Sequence, residues 1–105
     1  MTKSSLEIHA LATQAAQKAE AEYIKQYGEP WFRGFAWVQF RGNSKFARDL
    51  SKAGITSNAY PTGKMVWNPG KSYTQSMAVK VAGSRAYADI LCDHGVACDV
   101  YQRAD

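Results

Sequence analysis

The chain has 105 residues, of which 46% are hydrophobic and 21% are charged, and its net charge is +4. This length and composition predict one globular domain over residues 1–105, and a net basic chain excludes a DNA mimic, which needs a strongly acidic surface. Residues 30–80 hold eight lysines and arginines against one acidic residue, Asp49. This basic segment favours acidic partners, although it is also typical of a well-solvated lysine-rich surface.

The first predicted element is a helix over residues 5–27. Ser4 and Glu7 form a capping-box pattern ahead of it, and Gly28 is a stop signal behind it. Its apolar stripe is thin and rich in alanine. Because such a helix is stabilised mainly by tertiary burial, we expect residues 1–29 to pack on a core formed by the rest of the chain.

The next predicted element is a strand over residues 32–41, in which side chains alternate between two faces. The face that runs from Gly34 to Phe40 is small and apolar, as a core requires. The other face carries aromatic rings between two cations, and it consists of Arg33, Phe35, Trp37, Gln39 and Arg41. A face of this kind can stack bases and neutralise phosphates, or it can anchor a protein partner.

The same stretch nearly reproduces the first RNA-contact motif of RNA-recognition domains, K/R-G-F/Y-G/A-F-V-x-F/Y. Only Trp37 departs from that pattern. In those domains the motif lies on the third strand, whereas here it lies on the first predicted strand. The match is therefore either chance or convergence on a stacking surface.

The rest of the chain predicts a helix at 45–53, a hairpin of 57–60 with 64–67, a helix at 77–94 and a strand at 96–101. The order is one helix followed by βαββαβ. It predicts an α+β fold: a ferredoxin-like βαββαβ sandwich with an added N-terminal helix, in which both later helices cover one face of a four-stranded antiparallel sheet.

A turn is predicted at Trp67-Asn68-Pro69, because asparagine before proline favours turn initiation. The tryptophan of this turn has two interpretations. Either it seals an edge of the core, or it is exposed in a binding loop.

Residues that could support catalysis or bind a metal are few. Cys92, His94 and Cys98 form a C-x-H-x3-C pattern, which lacks paired C-x2-C spacing and a fourth ligand, and His9 is predicted to be a helix-surface residue. We therefore predict no metal, no cofactor, no catalytic residues and no disulfide, with Cys98 largely buried on a strand. A small enzyme that uses these thiols or His94 stays an alternative.

Several motifs occur in one order over about residues 30–105: Gly34-Phe35-Ala36-Trp37-Val38, Asn43-Ser44-Lys45, Val66-Trp67-Asn68-Pro69, Gln75-Ser76-Met77, Ala82-Gly83-Ser84-Arg85-Ala86-Tyr87-Ala88 and Arg103-Ala104-Asp105. In this the chain resembles a group of small proteins encoded by tailed bacteriophages. The group has no agreed activity, so no site residue carries over. Similar chains have Pro-Cys where this chain has Phe32-Arg33.

The resemblance implies a non-enzymatic phage accessory protein. We expect it to bind and modulate or inhibit a host nucleic-acid-handling complex, such as a CRISPR surveillance complex, through a basic surface. The alternative is a direct RNA or single-stranded DNA binder that uses the strand from Arg33 to Arg41. The sequence has neither a signal-peptide pattern nor an apolar run long enough for a membrane span, so we expect a cytoplasmic protein without a membrane partner.

The residues expected to bind a partner or nucleic acid are aromatic or cationic: Arg33, Phe35, Trp37, Arg41, Lys45, Arg48, Lys52, Lys64 and Lys71. The thin alanine stripe of the first helix suits packing on flat aromatic rings. We therefore expect that helix to cover Phe35 and Trp37, and the working surface to move to the basic residues from Arg41 onward.

Overall fold

The computed structural model describes residues 3–28, 33–59, 62–70 and 76–104. Its elements, in chain order, are α1 (Ser5–Tyr27), β1 (Gly34–Phe40), α2 (Lys45–Lys52), β2 (Ser57–Asn58), β3 (Lys64–Trp67), α3 (Met77–Asp93) and β4 (Asp99–Ala104). Within the described ranges the protein is therefore an α+β fold of three helices and four strands, and this class is as predicted.

The four strands form one antiparallel sheet in the order β2-β3-β1-β4. Strand β1 lies between β3 and β4, so its side chains have neighbours on both sides. Trp37 on β1 is directly opposite Trp67 on β3 and Tyr101 on β4. This register brings residues that are distant in sequence to the middle of one sheet face.

Helix α1 begins and ends where the sequence predicts. The Ser4 side chain accepts a hydrogen bond from the Glu7 backbone amide, and the Glu7 carboxylate accepts one from the Ser4 amide, each at 3.2 Å. These two bonds satisfy amides that would otherwise lack partners in the first turn. Ser44 caps α2 in a similar way, accepting from the Ala47 amide at 3.1 Å.

All three helices contribute to a core on one side of the sheet. Along β1 the even-numbered residues are buried and the odd-numbered residues are half-buried. The buried Val38 joins one cluster with Leu50 of α2, Leu91 of α3 and Ala12 of α1. The placement of α2 and α3 on one face is confirmed by this cluster.

Helix α1 packs mainly on α3. Alanines at positions 12 and 16 are fully buried in that contact, which lets the two helices approach closely. His9, predicted to be a surface residue, is half-buried instead, and its Nδ1 lies 2.7 Å from the hydroxyl of Tyr87. The two rings meet edge to face at 5.7 Å.

The last strand begins three residues later than predicted and continues to Ala104. The ladder with β1 ends at the pair of Gln39 and Asp99, so residues 96–98 lie beyond it. Val96 and Cys98 still pack against the core, which explains their alternating apolar pattern without a strand. The prediction that Cys98 is largely buried on a strand was therefore wrong, because the thiol is half-buried and precedes β4.

A carboxyl group is enclosed between α1 and α3. Glu20 is only 4% exposed, and its Oε2 makes no hydrogen bond to any residue that the structure describes. A β-carbon at Gly83 would lie 2.6 Å from that oxygen, so the absence of a side chain at this position makes room for the carboxyl. Burial raises the pKa of Glu20 to about 7, against an opposing attraction from Lys80.

This raised pKa predicts a loss of stability with rising pH. Between its ordinary pKa of 4.5 and its folded pKa of about 7, Glu20 keeps a proton in the folded protein that it has lost in the unfolded chain. The free energy of unfolding therefore falls across that window and is constant above it, as far as this group is concerned. Urea unfolding at about pH 5 and about pH 8 should show the decline.

Glu20→Gln should remove that decline and should be more stable than the natural protein at about pH 8, by up to about 3 kcal/mol. Glu22→Gln is the matched control, because Glu22 is exposed on the same helix. An unchanged pH slope in Glu20→Gln would contradict this assignment.

Candidate functional site

The sheet face opposite the helices is open in the described part of the chain. Phe35, Trp37 and Gln39 lie on it and are each half-buried. The prediction that the first helix covers Phe35 and Trp37 is wrong, because α1 packs on α3 and α2, on the other side of the sheet. Its alanine stripe contacts another helix, where small residues allow close approach. The aromatic rings of the sheet therefore contact one another instead of α1.

Three aromatic side chains form a continuous row across this face, which we call the aromatic row: Trp67, Trp37 and Tyr101. The rings of Trp37 and Trp67 have centroids 5.1 Å apart and planes inclined by 16°. The rings of Trp37 and Tyr101 are 6.0 Å apart and inclined by 11°. Phe35 joins the row at 5.4 Å from Trp67. The row exists because the cross-strand register places Trp67 and Tyr101 directly opposite Trp37, one on each side of it.

The two outer rings are the accessible ones. Trp67 is 45% exposed and Tyr101 is 43% exposed, whereas Trp37 lies between them and is half-buried. A ring stacked on both sides has little free surface, whereas Trp67 and Tyr101 keep more than two-fifths of their surface exposed, even though Phe35 also lies against Trp67. The row can therefore accept further planar groups at its ends.

Cations flank the row at both ends of β1. Arg33 and Arg41 are exposed, and Arg103 is exposed on β4 directly opposite Phe35. Among the described residues, none of these three arginines makes a salt bridge. Lys80 reaches the same region from α3, where its ammonium group donates to the carbonyl of Gly34 at 3.1 Å and lies 5.0 Å from the centroid of the Phe35 ring. The face therefore combines aromatic rings with arginines that have no salt-bridge partner among the described residues.

A groove with a volume of about 660 Å³ adjoins the Tyr101 end of the row. Polar groups line much of it, among them Gln39, Arg41, Thr62 and Asp99. The Gln39 amide is oriented, because its Oε1 accepts from the Trp37 indole at 3.4 Å and its Nε2 donates to the Thr62 carbonyl at 3.5 Å. The groove thus holds polar side chains beside an exposed ring.

The basic residues predicted beyond Arg41 do not join this face. Lys45, Arg48 and Lys52 are exposed on α2, which packs on the helix-covered side of the sheet. Lys45 is also paired with Asp49 at 2.7 Å. The Lys64 ammonium donates to the Asn58 side chain at 2.6 Å, and this lysine is opposite Phe40, on the core side. Lys71 lies outside the described residues. The predicted binding set is therefore divided between two sides of the molecule.

The cysteines do not form a reactive site in the described part of the chain. Burial raises the pKa of the Cys98 thiol to about 12, and its sulfur lies 3.7 Å from the Ala88 carbonyl oxygen. A thiol with this pKa is neutral at physiological pH and is a poor nucleophile. Cys92 is free and exposed, and no group of three or more metal-ligating side chains occurs within the described ranges.

Sequence reasoning placed Gln39 on one face with Trp37, but it missed Tyr101 and Arg103 as members of the same site and Asp99 as part of the adjoining groove. The alternation of Asp99, Tyr101 and Arg103 was a signal that they share a face of the last strand. The cross-strand register that sets them beside β1 is not visible in the sequence. Trp67 was left with two interpretations. It is 45% exposed and does not seal the core, but it ends strand β3 instead of lying in a loop, and its role in binding stays a prediction.

No helix within the described ranges is long and apolar enough to cross a membrane. Comparisons of the chain with protein-family models, with curated proteins and with solved structures found no match.

Proposed function

We propose that this protein binds single-stranded nucleic acid, RNA or DNA, on the open face of its sheet. The observation that carries the proposal is the aromatic row of Trp67, Trp37 and Tyr101, whose outer rings are exposed. Every base has a planar face, so exposed aromatic rings stack bases of any sequence, and each such contact contributes about 1–3 kcal/mol. Duplex DNA hides these base faces in its stack, so the row favours a single strand.

The chemistry around the row favours a polyanion over a second copy of the chain. Arg33, Arg41 and Arg103 border the row and make no salt bridge among the described residues. Two copies meeting face to face would bring these charges together, and the net charge of +4 would oppose the contact. A phosphate backbone neutralises the same arginines and releases its counterions.

We also propose that the sheet with α2 and α3 is a ferredoxin-like βαββαβ unit, to which α1 is added. The strand order β2-β3-β1-β4 with antiparallel neighbours supports it. In this arrangement β1 and β3 are the central strands, and they carry Trp37 and Trp67. The helices cover one face of the sheet, so the other face is available to a strand of nucleic acid.

A second proposal concerns a host nucleic-acid-handling complex, such as a CRISPR surveillance complex, bound through the basic side of α2. It is supported by Arg48 and Lys52, which are exposed and make no ion pair among the described residues. They lie about one turn apart, so they present two positive charges to the same partner. This surface is separate from the aromatic row.

A salt titration with matched charge variants separates the two surfaces. Binding of a fluorescent oligouridine of about ten nucleotides is measured at several salt concentrations. Arg33→Gln with Arg103→Gln should weaken binding and reduce the slope of log K against log salt by about 0.7 for each phosphate that the variant no longer neutralises. Arg48→Gln with Lys52→Gln removes the same charge from α2 and should leave the slope nearly unchanged.

If only the Arg48→Gln, Lys52→Gln variant weakens binding and reduces the salt slope, the basic side of α2 is the binding surface instead. Failure of the natural protein to bind any oligonucleotide would refute the proposed function.

A further inference from the structure

The groove beside Tyr101 contains an acidic side chain, which a surface built for phosphates alone would avoid. Asp99 lies in this groove, two residues before Tyr101 on the same face of β4, and it is directly opposite Gln39. It is exposed and makes no salt bridge among the described residues. A carboxylate here repels the phosphate backbone, so the part of a nucleotide that enters the groove is its base.

We propose that this groove is a guanine-selective subsite, in which a guanine stacks on the open side of Tyr101 and donates hydrogen bonds to Asp99. The inference rests on the proposed function, because the base belongs to a strand bound along the aromatic row. It adds a sequence preference to a surface that otherwise stacks any base.

The preference follows from the hydrogen-bonding edges of the bases. An ionised carboxylate only accepts hydrogen bonds, and its two oxygens can accept a pair of parallel donors. Guanine alone presents two adjacent donors, N1–H and N2–H2, whereas adenine and cytosine present one amino group next to a ring nitrogen acceptor. Uracil presents a single N–H between two carbonyl oxygens, which the carboxylate repels.

A second charged group in the groove is suited to the same base. Arg41 lines it and is two residues after Gln39, just past the end of β1. Arginine is the usual bidentate donor to the O6 and N7 acceptors of guanine. Guanine has paired donors on one edge, which suit the Asp99 carboxylate, and paired acceptors on the next edge, which suit the Arg41 guanidinium.

Gln39 also lines the groove, directly opposite Asp99. Its amide is held by the Trp37 indole and by the Thr62 carbonyl. A side chain oriented in advance loses little conformational freedom when a ligand binds. The Cys98 thiol in the groove wall is uncharged and does not compete with Asp99 for donors.

The test compares three strands that differ at one position: an oligouridine of about ten nucleotides, the same strand with one central guanine, and the same strand with one central adenine. The natural protein should bind the guanine strand about tenfold more tightly than the oligouridine. The adenine strand, which controls for the stronger stacking of any purine, should stay within about twofold of the oligouridine.

Asp99→Asn should abolish the guanine preference while binding oligouridine at least as well, because it removes a negative charge near the backbone. Glu22→Gln removes the same charge from the exposed side of α1 and should keep the preference. Equal binding of guanine and adenine strands, or a preference that survives in Asp99→Asn, overturns the subsite but leaves the proposed function standing. Failure to bind any of the three strands overturns both.

Discussion

Replacing both Trp67 and Tyr101 by alanine is expected to lower the affinity for a single strand by at least about 30-fold. Each outer ring offers one stacking surface, and each stacked base contributes about 1–3 kcal/mol, so the loss of two surfaces removes at least about 2 kcal/mol. Fluorescence anisotropy with a labelled oligouridine measures the change directly. Each single variant should show about half of this free-energy loss.

The same double variant should stay folded. Both side chains are more than two-fifths exposed, at 45% and 43%. Their removal costs the stacking on Trp37, and such aromatic pairs contribute about 0.5–1.5 kcal/mol each. A thermal melt should therefore show a Tm lowered by about 4–8 °C for each kcal/mol lost, with a single cooperative transition.

Tyr27→Ala is the matched control for this prediction. Tyr27 is an aromatic residue on α1 that is 63% exposed and packs only against Tyr23 among the described rings. Its truncation should leave oligonucleotide binding unchanged. Equal binding by the natural protein and the Trp67→Ala, Tyr101→Ala variant would show that the aromatic row takes no part in recognition.

Tyr87→Ala is expected to reduce the free energy of unfolding by about 3–5 kcal/mol, the largest stability effect that we predict. Tyr87 is completely buried on α3 and belongs to the main core cluster. Its hydroxyl lies 2.7 Å from His9 Nδ1 and thereby links α3 to α1. The variant loses both the packing of the ring and this link, and it leaves a cavity where the two helices meet.

Urea unfolding followed by circular dichroism measures this loss, with Tyr27→Ala again as the control for removing a tyrosine from the surface. The control should change the free energy of unfolding by only about 0.5 kcal/mol. A loss below about 1 kcal/mol for Tyr87→Ala would contradict the central position assigned to this ring. Where Tyr87→Ala does not fold at all, Tyr87→Phe keeps the ring and should retain most of the stability.

The helices of this protein could be predicted closely because their signals are local. Ser4, Glu7 and Gly28 mark both ends of α1, and either Asn43 or Ser44 is suited to cap α2, where the structure has Ser44. Caps and stop residues act through hydrogen bonds within one or two turns, so they can be recognised in the sequence without knowledge of the tertiary structure. The alternation along β1 likewise identified both faces of the strand and the side that carries Phe35 and Trp37.

What covers that face could not be predicted. A thin alanine stripe suits either flat aromatic rings or the small residues of another helix, and the pattern of α1 is the same for both. The structure has α1 on α3, with Ala12 and Ala16 fully buried. Which surface α1 packs on depends on the combined shape of two surfaces, and the residues of α1 determine only one of them.

The α+β class, the helix ends and the chemical character of the Arg33 to Arg41 strand follow from the residues alone. The folded chain was needed to show that Trp67 and Tyr101 join Trp37 in one row, that Asp99 borders it, and that the lysines of α2 lie on the other side of the sheet. These contacts depend on strand register. A shift of one residue would turn Trp67 or Tyr101 into the core, and the register is set by packing across the whole sheet.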